Sequence, residues 1–132
     1  MTSRQRNEQA SAMNQQREIK PILKYPGAKW MLADWIVSFF PKHKHYIEPF
    51  AGSAAVFFRK EPEQHEVLND LNEHIVNFFT VLRTRSEDLA RAIMLTPFSE
   101  AEYNRIERNL GEGDELERAR RFVTRSWQAH GG

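Results

Sequence analysis

Two carboxylates, a lysine, a tyrosine and a single glycine stand where they could build a ligand site. Glu48 closes the apolar stretch His45-Tyr46-Ile47, and Gly52 follows in the small-residue run Ala51-Gly52-Ser53-Ala54. Asp70 stands 18 positions after Gly52, at the end of a second apolar stretch from His65. Open parallel sheets bind ligands outside the carboxyl ends of their strands, where Glu48 and Asp70 both fall. An acid about 20 residues beyond a glycine turn is placed to accept hydrogen bonds from both hydroxyls of a ribose. Two roles stay open to Asp70: ribose acceptor, or N-cap of the following helix, for which Asn69 and Asn72 compete. Glu48 could equally pair with a lysine or sit at the sheet edge.

The turn after Glu48 has the outline of a nucleotide loop, but a dinucleotide loop takes about three glycines and this one holds Gly52 alone. A ligand without phosphates needs no wide nest of backbone amides. S-adenosylmethionine is such a ligand: its ribose wants a carboxylate, and its sulfonium and ammonium favour an acidic site. Ala51, Gly52, Ser53 and Ala54 are small enough to let it lie against the backbone. Ahead of them, Lys24-Tyr25-Pro26-Gly27-Ala28-Lys29 sets two lysines around an aromatic ring and a tight turn. That is either a plain Pro-Gly turn with solvated lysines, or a site in which Lys29 pairs with the ligand carboxylate and Tyr25 packs on the ligand.

Positioning these residues falls to an alternation of strands and helices. Lys29 to Phe40 carries Leu32, Trp35, Ile36, Phe39 and Phe40 at three-and-four spacing, which predicts a helix with that face in the core, stopped by Pro41. His45 to Phe50 reads as a short buried strand ending at Glu48 or Pro49, and Ala54 to Lys60 as a short helix. The strand His65 to Asp70 and a helix with Ile75, Phe78, Phe79 and Leu82 on one side follow. Strand, helix, strand, helix in that order predicts crossovers in a parallel sheet. Ser86 is a candidate N-cap for a helix through Leu95, and Ser99 with Glu102 has capping-box spacing. A charged helix, ended by the terminal glycines, completes the chain, whereas residues 1–18 lack apolar periodicity and read as a flexible leader.

Whole-chain properties exclude some classes. The 132 residues suit about one domain, and a net charge of +1 neither requires nor excludes nucleic acid. The absence of cysteine removes disulfides, thiolate metal sites and a cysteine nucleophile. No apolar run approaches the roughly 20 residues of a membrane span, and no secretory signal core is present. The expectation is a soluble cytoplasmic chain with no membrane and no metal partner.

Three blocks together resemble a known family. Leu23 to Ile36, Tyr46 to Phe58 and Val67 to Phe79 are similar to the first three blocks of the Dam-type adenine-specific DNA methyltransferases, and Thr96 to Ile106 resembles the block that follows. The resemblance implies an α/β, Rossmann-like fold with helices on the sheet faces, incomplete in this chain. It implies transfer of a methyl group from S-adenosylmethionine to the exocyclic amine of adenine in double-stranded DNA. It also implies cofactor contacts at Tyr25, Lys29, Glu48, Phe50, Gly52 and Asp70. Ala54 stands where the family often has a second glycine, and Pro26 where it has a small residue.

One family feature has no counterpart. The catalytic Asp-Pro-Pro-Tyr, which grips the target amine and stacks on a flipped-out adenine, is missing, since all six prolines stand apart. No catalytic residue is therefore expected here. The expected organisation is a leader at 1–18, a cofactor-binding part at 19–96 and a helical segment at 97–132 leading toward a DNA-recognition region. Arg118, Arg120, Arg121 and Arg125 of that segment either contact DNA or form a solvated face. Such a chain is an N-terminal portion or truncated product of the enzyme. The alternative is a non-catalytic remnant that binds DNA or a protein partner. Two parallel strands alone should also leave an open edge and a half-covered apolar face.

Overall fold

The computed structural model describes residues 19–129. The expected leader at 1–18 and the terminal glycines lie outside the described residues. The elements run α1 (Ala33–Val37), β1 (His45–Glu48), α2 (Ala55–Arg59), β2 (His65–Leu68), α3 (Glu73–Thr84), α4 (Ser86–Met94), α5 (Glu100–Arg108) and α6 (Glu115–Gln128). β1 and β2 pair in parallel, from His45 opposite His65 to Glu48 opposite Leu68, with α2 as the crossover. Parallel neighbours need such a connection because a hairpin reverses the chain and can only make antiparallel ones. Mixed helices and a small parallel sheet are compatible with an α/β methyltransferase domain.

Most of the burial is helical. Ile75, Phe78 and Val81 of α3, Leu89 of α4, and Ala119, Phe122 and Val123 of α6 form one cluster with Leu23. The expected α3 face is therefore present, with Phe79 and Leu82 half-buried beside it. The cluster crosses position 97, so α6 and the residues around Asp70 share a core. Trp127 on α6 donates its indole N–H to the Ile22 carbonyl at 2.7 Å, which ties the segment before Tyr25 to the far end of the described chain.

A smaller cluster of Ala33, Ala55 and Val56 joins α1 to α2, with Trp30, Ile36, Phe40 and Tyr46 around it. Here the sequence expectation needs correction. Leu32, Trp35 and Phe39 are 54%, 64% and 68% exposed, so they do not form the core face of the first helix. Turns occupy the preceding residues, with the Leu32 N–H bonded to the Lys29 carbonyl at 3.0 Å, and the helix starts only at Ala33. Small Ala33 meets Ala55, and the large apolar residues fall on both sides of a short helix. Trp35 and Phe39 instead pack edge to face on each other, 5.0 Å between centroids.

Helix ends bear out the expected cap at Ser99 but not the capping box with Glu102 or the cap at Ser86, and Asp114 provides a cap that was not expected. Ser99 caps α5 by accepting from the Glu102 N–H at 3.2 Å. Glu102 does not complete the box; its buried carboxylate pairs with Arg105 and, at 3.0 Å, with Arg120. Asp114 caps α6 by accepting from the Glu117 N–H at 2.8 Å. Ser86 is not an N-cap, because α4 already includes it and Arg85 is the joint left between α3 and α4.

The arginines of α6 turn largely inward. Arg120 and Arg121 bind Glu117, Arg121 also reaches the Asn109 carbonyl, and Arg125 pairs with Glu107. Hydrogen bonds from Arg120 and Arg125 hold the carboxyls of Glu117 and Glu107, respectively, below the usual carboxylate range despite burial. On the sheet, Ile47 and Val67 are 66% and 50% exposed, the half-covered face expected of two strands alone. Urea denaturation should separate the two kinds of aromatic position. Phe78→Ala, which hollows the main core, should cost about 3–5 kcal/mol, and Trp35→Ala should stay within about 0.5 kcal/mol of the parent.

Candidate ligand site

Three connections converge at the carboxyl ends of β1 and β2. The first is the Tyr25–Ala28 turn, closed by the Ala28 N–H on the Tyr25 carbonyl at 3.1 Å. Pro26 at its second position and Gly27 at its third, with φ +76°, have the chemistry of a type II turn. Proline therefore suits this position by fixing the φ that the turn needs. Tyr25 packs on the main core with one side, and Leu23 two residues earlier is buried in it.

The second connection runs from Glu48 to α2. The strand pairing continues past the strands themselves, through Asn69 N–H to the Glu48 carbonyl and Ala51 N–H to the Asn69 carbonyl, both at 2.9 Å. Gly52 takes φ +52°, and a Cβ there would meet the Tyr25 ring at 3.4 Å. One glycine thus serves a left-handed turn and a close approach to an aromatic face. Ser53 is buried and accepts from the Trp30 indole N–H at 3.0 Å. Ala54, the residue before α2, also sits in the left-handed region, at φ 54°.

The third connection removes one of the two roles open to Asp70. Asn72, not Asp70, caps α3, accepting from the His74 N–H at 3.0 Å. Asp70 is left to accept from the Asn72 N–H at 2.9 Å and, across the gap between connections, from the Gly52 N–H at 3.0 Å. A carboxylate has about four lone-pair sites, so these two bonds leave acceptor capacity on each oxygen.

Tyr25, Lys29, Glu48, Phe50, Gly52 and Asp70 all line one cavity of about 180 Å³. The structure therefore brings together the six residues expected at the cofactor site, but not Lys24. A larger cavity of about 530 Å³ lies between α2, β2 and α3 and holds none of the six. The smaller one is the better candidate, because two carboxylates, a lysine and the backbone turns converge on it, whereas the larger, although Glu66 and Arg83 lie at its wall, is lined mainly by aromatic and aliphatic side chains. Phe50, 74% exposed, extends the site outward as an open apolar shelf.

Glu48 is the electrostatically unusual member. Burial raises its carboxyl above the usual range, only partly opposed by the Tyr46 hydroxyl, the Phe57 backbone amide, and the charges of Lys29 and Lys60. Tyr46 donates to its Oε2 at 2.9 Å. Sequence reasoning missed this partner and the Trp30–Ser53 bond. The first had a signal, since residues two apart on a strand share a face; the second joins positions 23 apart with no local pattern.

The model of the D12 class N6 adenine-specific DNA methyltransferases matches residues 25–130. The chain belongs to this family. Among similar proteins, the DNA N-6-adenine-methyltransferase of Escherichia phage P1 is 33% identical over 81 residues, 56% of this chain and 11% of that protein. A type II methyltransferase of Lactococcus lactis subsp. cremoris is 35% identical over 72 residues, 54% of this chain and 25% of its own length. The DNA adenine methylase of Haemophilus influenzae is 38% identical over 65 residues, 48% of this chain and 22% of its own. The chain spans about a quarter or less of the relatives it matches. Among the described residues no helix is long and apolar enough to cross a membrane, and no three His, Cys, Asp or Glu side chains gather as a metal site.

Position 54, a left-handed residue that carries a Cβ, tests the turn directly. A left-handed residue with a Cβ costs about 1–2 kcal/mol. Ala54→Gly should therefore raise the stability by about 1 kcal/mol, and Gly52→Ala should lower it by about 1–2 kcal/mol, both read from denaturant midpoints.

Proposed function

We propose that this chain is the cofactor-binding part of an adenine-specific DNA methyltransferase and binds S-adenosylmethionine in the 180 Å³ cavity. The observation that carries this reading is the convergence of Asp70, Glu48, Lys29 and Gly52 on one cavity, beside a turn that holds a single glycine. The donor set fits the cofactor. Asp70 has lone pairs to spare for ribose hydroxyls, Glu48 offers an anion to the ammonium and sulfonium, and Lys29 offers a cation to the carboxylate. Tyr25 and Phe50 supply apolar contact. A cavity below the roughly 300 Å³ of typical ligand clefts would enclose only part of the molecule, with the rest on the open shelf at Phe50.

In this reading β1, α2 and β2 begin a Rossmann-like sheet whose bare Ile47–Val67 face is covered by further structure of the complete enzyme. The bound cofactor supplies a sulfonium methyl group for the adenine amine of double-stranded DNA. The residues of this chain bind and orient it. No group here is assigned to gripping the amine, because the Asp-Pro-Pro-Tyr block is absent from the sequence. That same absence favours a second reading, a remnant that keeps the fold without the cofactor.

Calorimetry with S-adenosylmethionine tests the two. Lys29→Ala and Asp70→Asn should each weaken binding about 10- to 100-fold, the usual loss for hydrogen bonds involving a charged group. A folded parent chain that takes up no cofactor would remove this reading in favour of the remnant. The affinity should also depend on pH. Burial raises the Glu48 pKa, so the folded protein holds this proton to a higher pH than an ordinary carboxyl does, and the stability this brings is lost as pH rises through the raised value. A cationic ligand has the opposite preference. Binding should therefore tighten as pH rises through an inflection above the ordinary carboxylate value, and Glu48→Gln should abolish that inflection.

A further inference from the structure

Behind the cavity lies a set of side chains that cofactor binding does not use directly. Tyr46 projects from the same face of β1 as Glu48 and stands opposite Glu66 of β2. Its ring packs on the cluster of Ala33, Ala55 and Val56, with Phe40 at 5.8 Å and Phe57 at 6.4 Å between centroids. Lys60, buried at the end of α2, lies 4.6 Å from the centre of the same ring and pairs with Glu66. Held on these sides, the ring aims its hydroxyl at Glu48 Oε2, 2.9 Å away. Glu48 lines the cavity and Tyr46 does not.

We propose that Tyr46 is a positioning residue: its hydroxyl fixes the Glu48 carboxylate in the orientation that receives the cationic end of S-adenosylmethionine, without touching the ligand. The inference rests on the cofactor reading of the cavity. A half-buried carboxylate that loses one of its donors, here leaving the Phe57 amide, rotates or takes up a proton more readily. The donor supplied here is neutral. Burial, then Glu48 and Glu66, push the Tyr46 hydroxyl above its ordinary pKa, so it stays a donor at neutral pH.

The surrounding charges explain why a neutral donor matters. Glu48 faces Lys29 from the first turn, Lys60 from the end of α2, Glu66 through Tyr46, and Asp70 across the cavity. Lys60 is engaged by Glu66. Glu48 is thus held by a group that leaves its negative charge for the ligand, where a lysine in the same place would neutralise it.

Tyr46→Phe keeps the ring and its contact with Lys60 and removes only the hydroxyl. The full chain and this variant are to be compared by NMR titration of the Glu48 carboxyl carbon in the free protein, and by calorimetry with S-adenosylmethionine across pH. The expected result is an upward move of the Glu48 midpoint, a matching move of the binding inflection, and affinity about 3- to 10-fold weaker at neutral pH. In the Glu48→Gln background, Tyr46→Phe should change affinity little. An unmoved Glu48 midpoint, or an equal affinity loss in both backgrounds, overturns the proposal while leaving cofactor binding intact. No binding by the folded parent chain would instead remove the cofactor reading and this role with it.

Discussion

The carboxylate of Asp70 is the point on which the site depends. It accepts one hydrogen bond from Gly52 in the connection after β1 and one from Asn72 in the connection after β2. Neither connection is regular structure, and beyond the Ala51–Asn69 backbone bond it is this carboxylate that holds the Gly52 turn to the second connection. The bond to Gly52 also uses a backbone donor in a turn that leaves few partners. Asp70 can serve both because Asn72 has taken over the capping of α3. Two neighbouring polar residues have divided labour that a single aspartate would otherwise have to combine.

A second dependence reaches further. Tyr25 faces the cavity from a turn whose preceding residues are anchored by Leu23 in the helical core and by the Trp127 indole on the Ile22 carbonyl. The last described helix thus helps to place the first block of the site. The segment after position 97, which the sequence suggested was a lead toward DNA, is in its described part also a buttress for the ligand end of the sheet. D12 membership over residues 25–130 fits this continuity, since the family match, like the core, runs through α6.

Much of this was legible before any coordinates. The strand end at Glu48 followed from a short apolar run meeting a proline, whereas the second strand stops at Leu68, two residues before the expected Asp70; the six site residues still converge because parallel strands joined by a crossover put their carboxyl ends side by side. The α3 face at Ile75 and Phe78 was clear because its period is sustained over three turns. The first helix was misread for the opposite reason. With five residues in α1 and large apolar side chains all round it, the spacing fitted two faces, and the pivot turned out to be Ala33, too small to weigh in a hydrophobic pattern. Ser86 was misjudged because a capping residue needs a chain entering from outside a helix, and here α3 runs into α4 through Arg85 alone. Long-range side-chain pairs such as Trp30 with Ser53 leave no periodic trace in a sequence.

The inward-turned arginines of α6 alter what the chain's charge can do. Arg120, Arg121 and Arg125 are already matched by Glu102, Glu117 and Glu107. Groups neutralised in this way carry little uncompensated potential, so this helix face would displace few condensed counterions from a nearby polyanion. Added salt acts first on the internal pairs themselves, and its effect through this helix falls on folding rather than on long-range attraction.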